Sequence, residues 1–202
     1  MLTRRIALLL PLLPAFAHAQ ANDPAAPIAR LDQALLAAMH AGRATPFATR
    51  YAALAPAVQA AFDLPAILAA SIGLGWSSIP PAQQQTLLAA FTRFTVASYA
   101  GTFDNFNGER IDLLPARRQV GQDVVVATQI VPANGAPTRI DYVMRRTAQG
   151  WRAIDVLLDG SISRVAVQRS DFRSVLASGG APALAATLDR KTAALSGGAT
   201  LP

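Results

Sequence analysis

The apolar positions of this chain change period twice. From Ile28 to about Phe103 they recur at helical spacing, from Glu109 to Leu158 they alternate or run together as in strands, and beyond Ser161 helical spacing returns. Ile28, Leu31, Leu35, Leu36 and Met39 predict a first helix to His40, with Gly42 as its stop. Thr45-Pro46 opens a second, with threonine as the cap and proline at the first helical position. Phe47, Tyr51 and Leu54 follow, and Pro56 is expected to break or kink it before a last turn to Phe62. Asp63 caps a short helix with Leu64, Ile67, Leu68 and Ile72, closed by Gly73-Leu74-Gly75-Trp76. The longest helical run, Ala82 to about Phe103, is apolar on most sides and so buried on most sides. Thr92, Val96, Tyr99, Phe103 and Phe106 share one flank, which mixes hydroxyls with aromatics as a pocket wall does. Leu87, Leu88, Phe91 and Phe94 share another.

The strands follow Asn107-Gly108. Glu109 to Leu114 is a short strand ended by Pro115, and Asp123 to Val131 is a second, followed by a turn over Pro132 to Pro137. Arg139 to Thr147 alternates, with Ile140, Tyr142 and Met144 on one face and Arg139, Asp141 and Arg145 on the other. Ala148-Gln149-Gly150 connects it to Trp151–Leu158, whose almost unbroken apolar run predicts a strand covered on both faces. Asp159-Gly160 breaks that strand. Ser161 is placed to N-cap a helix carrying Val165, Phe172 and Leu176, which stops at Gly179-Gly180, and Pro182 to Leu195 forms a last amphipathic helix. Helices, then a small antiparallel sheet, then helices make an α+β chain, with helices folded over a curved sheet that can enclose a pocket. No repeat or interdomain linker appears, so residues 28–195 read as one domain, with a linker at 20–27 and a frayed tail at 196–202.

Composition narrows the chemistry. The 202 residues are 52% hydrophobic and 15% charged, enough for a sizeable core. No cysteine is present, so disulfides, thiolate metal sites and cysteine nucleophiles are excluded. Met1 to Ala19 runs from Arg4-Arg5 through an apolar stretch to Ala17-His18-Ala19, the order of a secretory signal cut after Ala19. The apolar stretch is too short for a membrane span, although a permanent anchor is the alternative. Without it the charge falls from +6 to +4, with 16 basic against 12 acidic residues. A soluble periplasmic protein is the expectation.

Candidate catalytic groups are few. A hydrolase triad or metal centre needs histidine, cysteine or clustered carboxylates. Beyond the signal there is one histidine, His40, at a helix end where it bonds the last carbonyls or lies in solvent, and one glutamate, Glu109. Asp155 sits inside an apolar strand and needs a partner. It is either a general base, as in small cone-shaped isomerases and dehydratases, or a structural ion pair with an arginine of the next helix, Arg169, and the second is preferred. The scattered arginines at 117–118, 139, 145–146, 152 and 164 read as solvated surface, and export argues against nucleic acid. Neither a cofactor nor a metal is expected.

Several segments together resemble one family: LG-W at Trp76, PAQQ at 81–85, AAFTRFTVASYAGTF at 89–103, WRAIDVLLDGSIS at 151–163, QRSDFRSVL at 168–176 and L-x-x-K at 188–191. They look like the MlaC family of periplasmic phospholipid-binding, or toluene-tolerance, proteins, and GSISRVAVQRSDFR is most similar to its hopanoid-associated HpnM branch. The resemblance covers about Leu31 to Leu195. The chain departs from better-known members in its near lack of lysine and its shorter segment before Trp76. The resemblance implies an NTF2-like curved sheet around a deep apolar cavity. It also implies a monomeric carrier moving phospholipid or hopanoid between an outer-membrane lipoprotein complex and an inner-membrane ABC transporter. The expected lipid wall takes Tyr99, Thr92, Val96 and Phe103 from the long helix and Leu68, Ile72 and Trp76 from the segment before it. From the sheet it takes Val126, Thr138, Ile140, Tyr142, Met144 and Val156, with Ser161 just past the turn. Such a carrier needs no catalytic group. Each methylene kept from water is worth about 0.8 kcal/mol, so a chain of about fifteen carbons carries roughly 12 kcal/mol of transfer cost. Two rivals remain: a small exported enzyme with Asp155 as base and a tyrosine as donor, and an envelope adaptor with a filled core.

Overall fold

The computed structural model describes residues 23–201, and the expected signal at Met1–Ala19 lies outside the described residues. Helix α1 (Ala26–Ala41) begins inside the stretch read as a linker, with Pro27 in its first turn and Ala25 already in the core. Helix α2 (Phe47–Ala61) continues past Pro56, so of the expected break or kink the break is absent. Proline removes one N–H but leaves the rest of the ladder, and burial of Tyr51, Leu54 and Val58 along the same face holds the helix together across it. Thr45 does not cap it; its hydroxyl donates back to the Ala41 carbonyl at 2.9 Å. Asp63 does cap α3 (Leu64–Ile72), its carboxylate accepting the Ala66 N–H at 3.0 Å. A 3₁₀ turn (Gly73–Ser78) leads to α4 (Pro81–Thr102).

The sheet is an antiparallel meander in the order β1 (Arg110–Val120), β2 (Asp123–Val131), β3 (Thr138–Thr147), β4 (Gly150–Leu158) and β5 (Ile162–Ser163). The first strand does not end at Pro115. It continues to Val120 through an irregularity, with Leu113 paired to Thr128 and Arg117 to Val126. β1 lies at the sheet edge, where a residue without an N–H is tolerated at a bulge. A second bulge has more consequence. Val143 pairs with Asp155 but Met144 pairs with Ala153, which leaves Ile154 as the extra residue. That one-residue slip sets Val156 opposite Tyr142 and Leu158 opposite Ile140. Only Ala153 of β4 is fully buried; the residues on both faces of the strand are otherwise half-buried, so each face is covered in part.

Helix α5 spans Arg164–Ser196 and bends at Gly180, whose φ of 64° lies in the left-handed region, just before Pro182. The backbone at Gly180 is non-helical, with ψ at −160°, so the span is two helical segments that meet where the stop at Gly179-Gly180 was expected, and α5 denotes both. The N-cap is Ser163, not Ser161: the Ser163 hydroxyl accepts the Ala166 N–H at 3.0 Å, while Ser161 stays exposed in the turn. The two-residue strand β5 intervenes and moves the helix start two residues on. The core runs through α1, α2, α4 and α5 to the inner face of β2 and β3, and includes Phe91, Leu31, Leu35, Leu184, Val126 and Met144. Leu201, in the stretch read as a tail, packs half-buried against it.

Three arginines hold helix ends, and of these Arg152 was expected at the solvated surface and Arg169 in an ion pair with Asp155. Arg50 reaches the Ala100 carbonyl of α4, Arg152 the Gln59 carbonyl of α2 at 2.6 Å, and Arg169 the Ala70 carbonyl of α3. Each acceptor lies in the last turn of its helix, where unsatisfied carbonyls and the negative dipole end favour a cation.

Candidate functional site

A cavity of about 360 Å³ lies between α4 and the inner face of the sheet, within the roughly 300–1,000 Å³ range of ligand sites. α4 supplies Phe91, Phe94, Thr95, Ser98, Tyr99 and Thr102, a stripe that returns every few residues, and Phe103, the residue just past its end, continues it. The sheet supplies Ile130, Ile140, Tyr142, Val156 and Leu158. Phe62, Leu64 and Ile67 close it from α3 and the residue before its cap, and the start of α5 adds Arg164, Val165 and Gln168. The β4 bulge brings Val156 and Leu158 level with Tyr142 and Ile140, so one local irregularity completes the sheet wall.

The walls are joined by aromatic contacts. Phe62 sits 6.2 Å from Tyr142 and 5.6 Å from Tyr99, ring centre to centre, and Tyr99 stacks on Phe103 at 6.0 Å. Burial pushes both tyrosine phenols above their ordinary range, so they stay neutral at physiological pH. The lining is drier than its composition reads. The Thr95 and Ser98 hydroxyls each donate at 2.8 Å to a carbonyl of their own helix, that of Phe91 and Phe94, which turns these donors away from the cavity. The charged lining groups are Asp155 and Arg164, both by the start of α5.

Asp155 is the residue whose surroundings decide between strut and base. Its Oδ2 accepts the Ser163 hydroxyl at 2.5 Å, and its Oδ1 accepts the N–H of Val165 at 3.1 Å and of Val156 at 2.8 Å. With Ser163, it satisfies the first amides of α5, where a carboxylate also meets the positive dipole end. The expected pairing with Arg169 does not form. Arg169 donates through Nε and Nη2 to the Ala70 carbonyl at 3.1 and 2.7 Å, and fixes α5 to α3 instead of α5 to the sheet. Local capping donors reach the carboxylate before a side chain one and a half turns along the helix does.

Of the expected wall residues, the structure brings Tyr99, Phe103, Ile140, Tyr142 and Val156 together around the cavity. Leu68, Val96, Val126 and Met144 are sealed in the core at 0% exposure and support the walls from behind. Thr92 lies half-buried beside the α4 stripe, Thr138 and Ser161 are exposed, and Ile72 and Trp76 line a separate surface groove. The α4 wall is rotated by roughly a fifth of a turn from the flank through Thr92 and Val96, and falls between the two expected flanks. Phe91, Phe94 and Phe62 also line the cavity and were not among the expected wall; Phe91 and Phe94 come from the second flank of the long helix, whose aromatics were the available signal. His40 packs its ring 3.8 Å from that of Phe106, centre to centre, away from the cavity. Among the described residues no group of metal-ligating side chains comes together, and no helix is long and apolar enough to cross a membrane.

This architecture matches the solved structure of a phospholipid-binding protein from Ralstonia solanacearum in complex with a phospholipid. The TM-score is 0.73 at 23% identity, over 86% of this chain and 99% of that one. The likeness is in the fold: an NTF2-like curved sheet wrapped by helices. The family model for the MlaC protein matches residues 29–190, nearly all of the domain described above. The chain belongs to the MlaC family.

Proposed function

We propose that this protein is a lipid carrier, not an enzyme, and that it shields the apolar part of a phospholipid or hopanoid in the cavity between α4 and the sheet. The observation that carries this reading is the cavity itself: aromatic and aliphatic side chains on every wall, with the Thr95 and Ser98 hydroxyls turned to backbone and its one carboxylate capping α5. Asp155 accepts three hydrogen bonds at the start of α5, which supports a capping role over that of a general base. Family membership and the phospholipid in the Ralstonia solanacearum protein support the same class of ligand.

Tail burial supplies the affinity and Arg164, the cation at the cavity edge, takes an anionic headgroup. Binding has to remain reversible, because a carrier that holds its lipid too tightly cannot hand it on. The place of work is the periplasm, reached by the signal at Met1–Ala19. The protein works there as a monomer between an outer-membrane lipoprotein complex and an inner-membrane ABC transporter. The family it belongs to supports this location, and the sequence likeness to the HpnM branch supports hopanoid as the alternative cargo.

Native mass spectrometry of the purified protein, with organic extraction of whatever it carries, tests the reading. Near-stoichiometric phospholipid or hopanoid is expected on the wild type. Tyr99→Glu, which sets a charge among Phe62, Phe103 and Tyr142, is expected to lose at least nine-tenths of it while keeping its circular dichroism. A lipid-free wild type that stays so after incubation with vesicles sinks the carrier reading.

A further inference from the structure

Leu74 is the most exposed large apolar residue of the described chain, at 100% of its possible surface, against 51% for the next, Ile162. It stands on the 3₁₀ turn Gly73–Ser78, none of whose residues is buried. Gly73, at a φ of 76°, turns the chain out of α3 so that Leu74 projects clear of the body. A leucine held fully in water at the apex of an ordered turn is a contact in waiting.

Its surroundings specify the contact. Trp76, half-buried, lies on the same turn, and Arg169 and Arg173, one helical turn apart on α5, line the groove beside it with Ile72 and Leu176. The five ion pairs of the described residues lie elsewhere and involve neither arginine. Asp171, the acidic residue between them in sequence, projects from the far side of the helix. One projecting aliphatic side chain, a tryptophan with its body half in the protein, and two guanidinium groups, that of Arg173 and the edge of Arg169 not bonded to the Ala70 carbonyl, compose a bilayer-interface element: leucine for the acyl boundary, indole for the headgroup level, arginines for lipid phosphates. A protein partner would need a broad contiguous face, about 800 Å² per side. Ser77, Ser78 and Pro80 frame the turn with exposed, mostly polar residues that offer no such face.

The position gives the contact a use. Ser71 lines this groove and Gln168 lines the lipid cavity, and Ser71 Oγ lies 3.0 Å from Gln168 Oε1. Groove and cavity are thus back to back across one pair of side chains at the seam between α3 and α5. Resting on the lipid-carrier reading, we propose that the Leu74 turn with Arg169 and Arg173 docks on an anionic bilayer surface and holds the α3–α5 seam of the cavity against it. Lipid then enters or leaves across that seam without passing through bulk water.

The test is cosedimentation of the full-length expression product with vesicles of phosphatidylcholine alone or mixed with phosphatidylglycerol. Native mass spectrometry of bound lipid runs in parallel, so that the carrier reading is judged separately. Binding is expected to the phosphatidylglycerol vesicles only and to weaken with salt. Leu74→Glu should weaken it at least tenfold, and Arg173→Gln about fivefold. Both changes are on the surface and leave the cavity untouched, so lipid bound at equilibrium should stay at the wild-type level while loading from the anionic vesicles slows. In a Trp151→Phe background, Trp76 emission should shift to the blue on binding. Wild-type protein that ignores anionic vesicles, a Leu74→Glu variant that binds as well as wild type, or binding that requires a membrane protein in the vesicle overturns the proposal. If lipid is still found bound, each of these leaves the carrier reading standing.

Discussion

Asp155 and Asp32 are both carboxylates set among apolar side chains, and the fold treats them in opposite ways. Asp155 lies between β4 and α5 with both oxygens occupied by three donors. Asp32 lies on the inner face of α1 between Leu31 and Leu35, 6% exposed, and its Oδ1 has no hydrogen-bond partner. Burial alone pushes the pKa of Asp32 up to about 7. Asp141, at 1% exposure, is buried as deeply as either, yet Arg139 grips it with two bonds of 2.8 and 3.1 Å. Depth therefore does not decide whether a buried acid strengthens the fold; the donors that reach it do. Asp32 is also near enough for its charge to hold the phenols of Tyr99 and Tyr142 further from ionising, so the unpartnered acid and the cavity share one electrostatic environment.

The largest effect expected from breaking this contrast is at Asp32. Its folded pKa, about 7, lies above its unfolded value near 3.8, so between those limits the native state holds more protons than the unfolded one. Stability therefore falls as pH rises through that window and levels off above about pH 8. Three pKa units of difference correspond to at most about 4 kcal/mol. Asp32→Asn keeps the shape without the charge. It should match the wild type near pH 4 and exceed it by up to that amount at pH 8. Urea unfolding at a series of pH values reads this directly, and a gain that does not vary with pH would exclude the carboxylate as its source.

The opposite sign is expected at Asp155. Asp155→Ala strips an acceptor from the Ser163 hydroxyl and the Val165 amide and should cost about 2–3 kcal/mol. A double-mutant cycle sharpens the point. Asp155 and Ser163 share a hydrogen bond and should couple by about 1 kcal/mol or more, whereas Asp155 and Arg169 have separate partners and should add within about 0.5 kcal/mol. Strong coupling between Asp155 and Arg169 would restore the ion pair that the sequence pattern implied.

Much of the architecture was legible because it rests on periodicity. The helix–sheet–helix order, the Asp63 cap, the β2 and β3 strands and the turn after Leu158 all follow from local pattern. What escaped was set by non-local choices. Pro56 stays in a helix because tertiary burial outweighs one lost hydrogen bond. The face of α4 that lines the cavity could not be chosen, since a helix apolar on most sides carries no sign of which flank meets a void and which meets packed atoms. Val96 and Phe91 look alike in sequence, yet Val96 is sealed in the core while Phe91 borders the cavity. The bulge at Ile154, which aligns Val156 and Leu158 with Tyr142 and Ile140, has no local signature at all, because register is a property of two strands.

The smallest effect separates helix clamps from ion pairs. Arg169 is exposed and donates to one carbonyl in the last turn of α3, a contact worth about 0.3–1 kcal/mol at a solvated helix end. Arg169→Met keeps most of the aliphatic stem over the groove and should lower the unfolding free energy by no more than that. Arg50, only 6% exposed and bonded to the Ala100 carbonyl, performs the same task where water cannot replace it, so Arg50→Met should cost several times as much. If Arg169→Met instead cost the roughly 3–5 kcal/mol of a broken buried ion pair, Asp155 would have to be its partner in solution, and the contrast between a capped acid and an unpartnered one would have to be redrawn around Arg169.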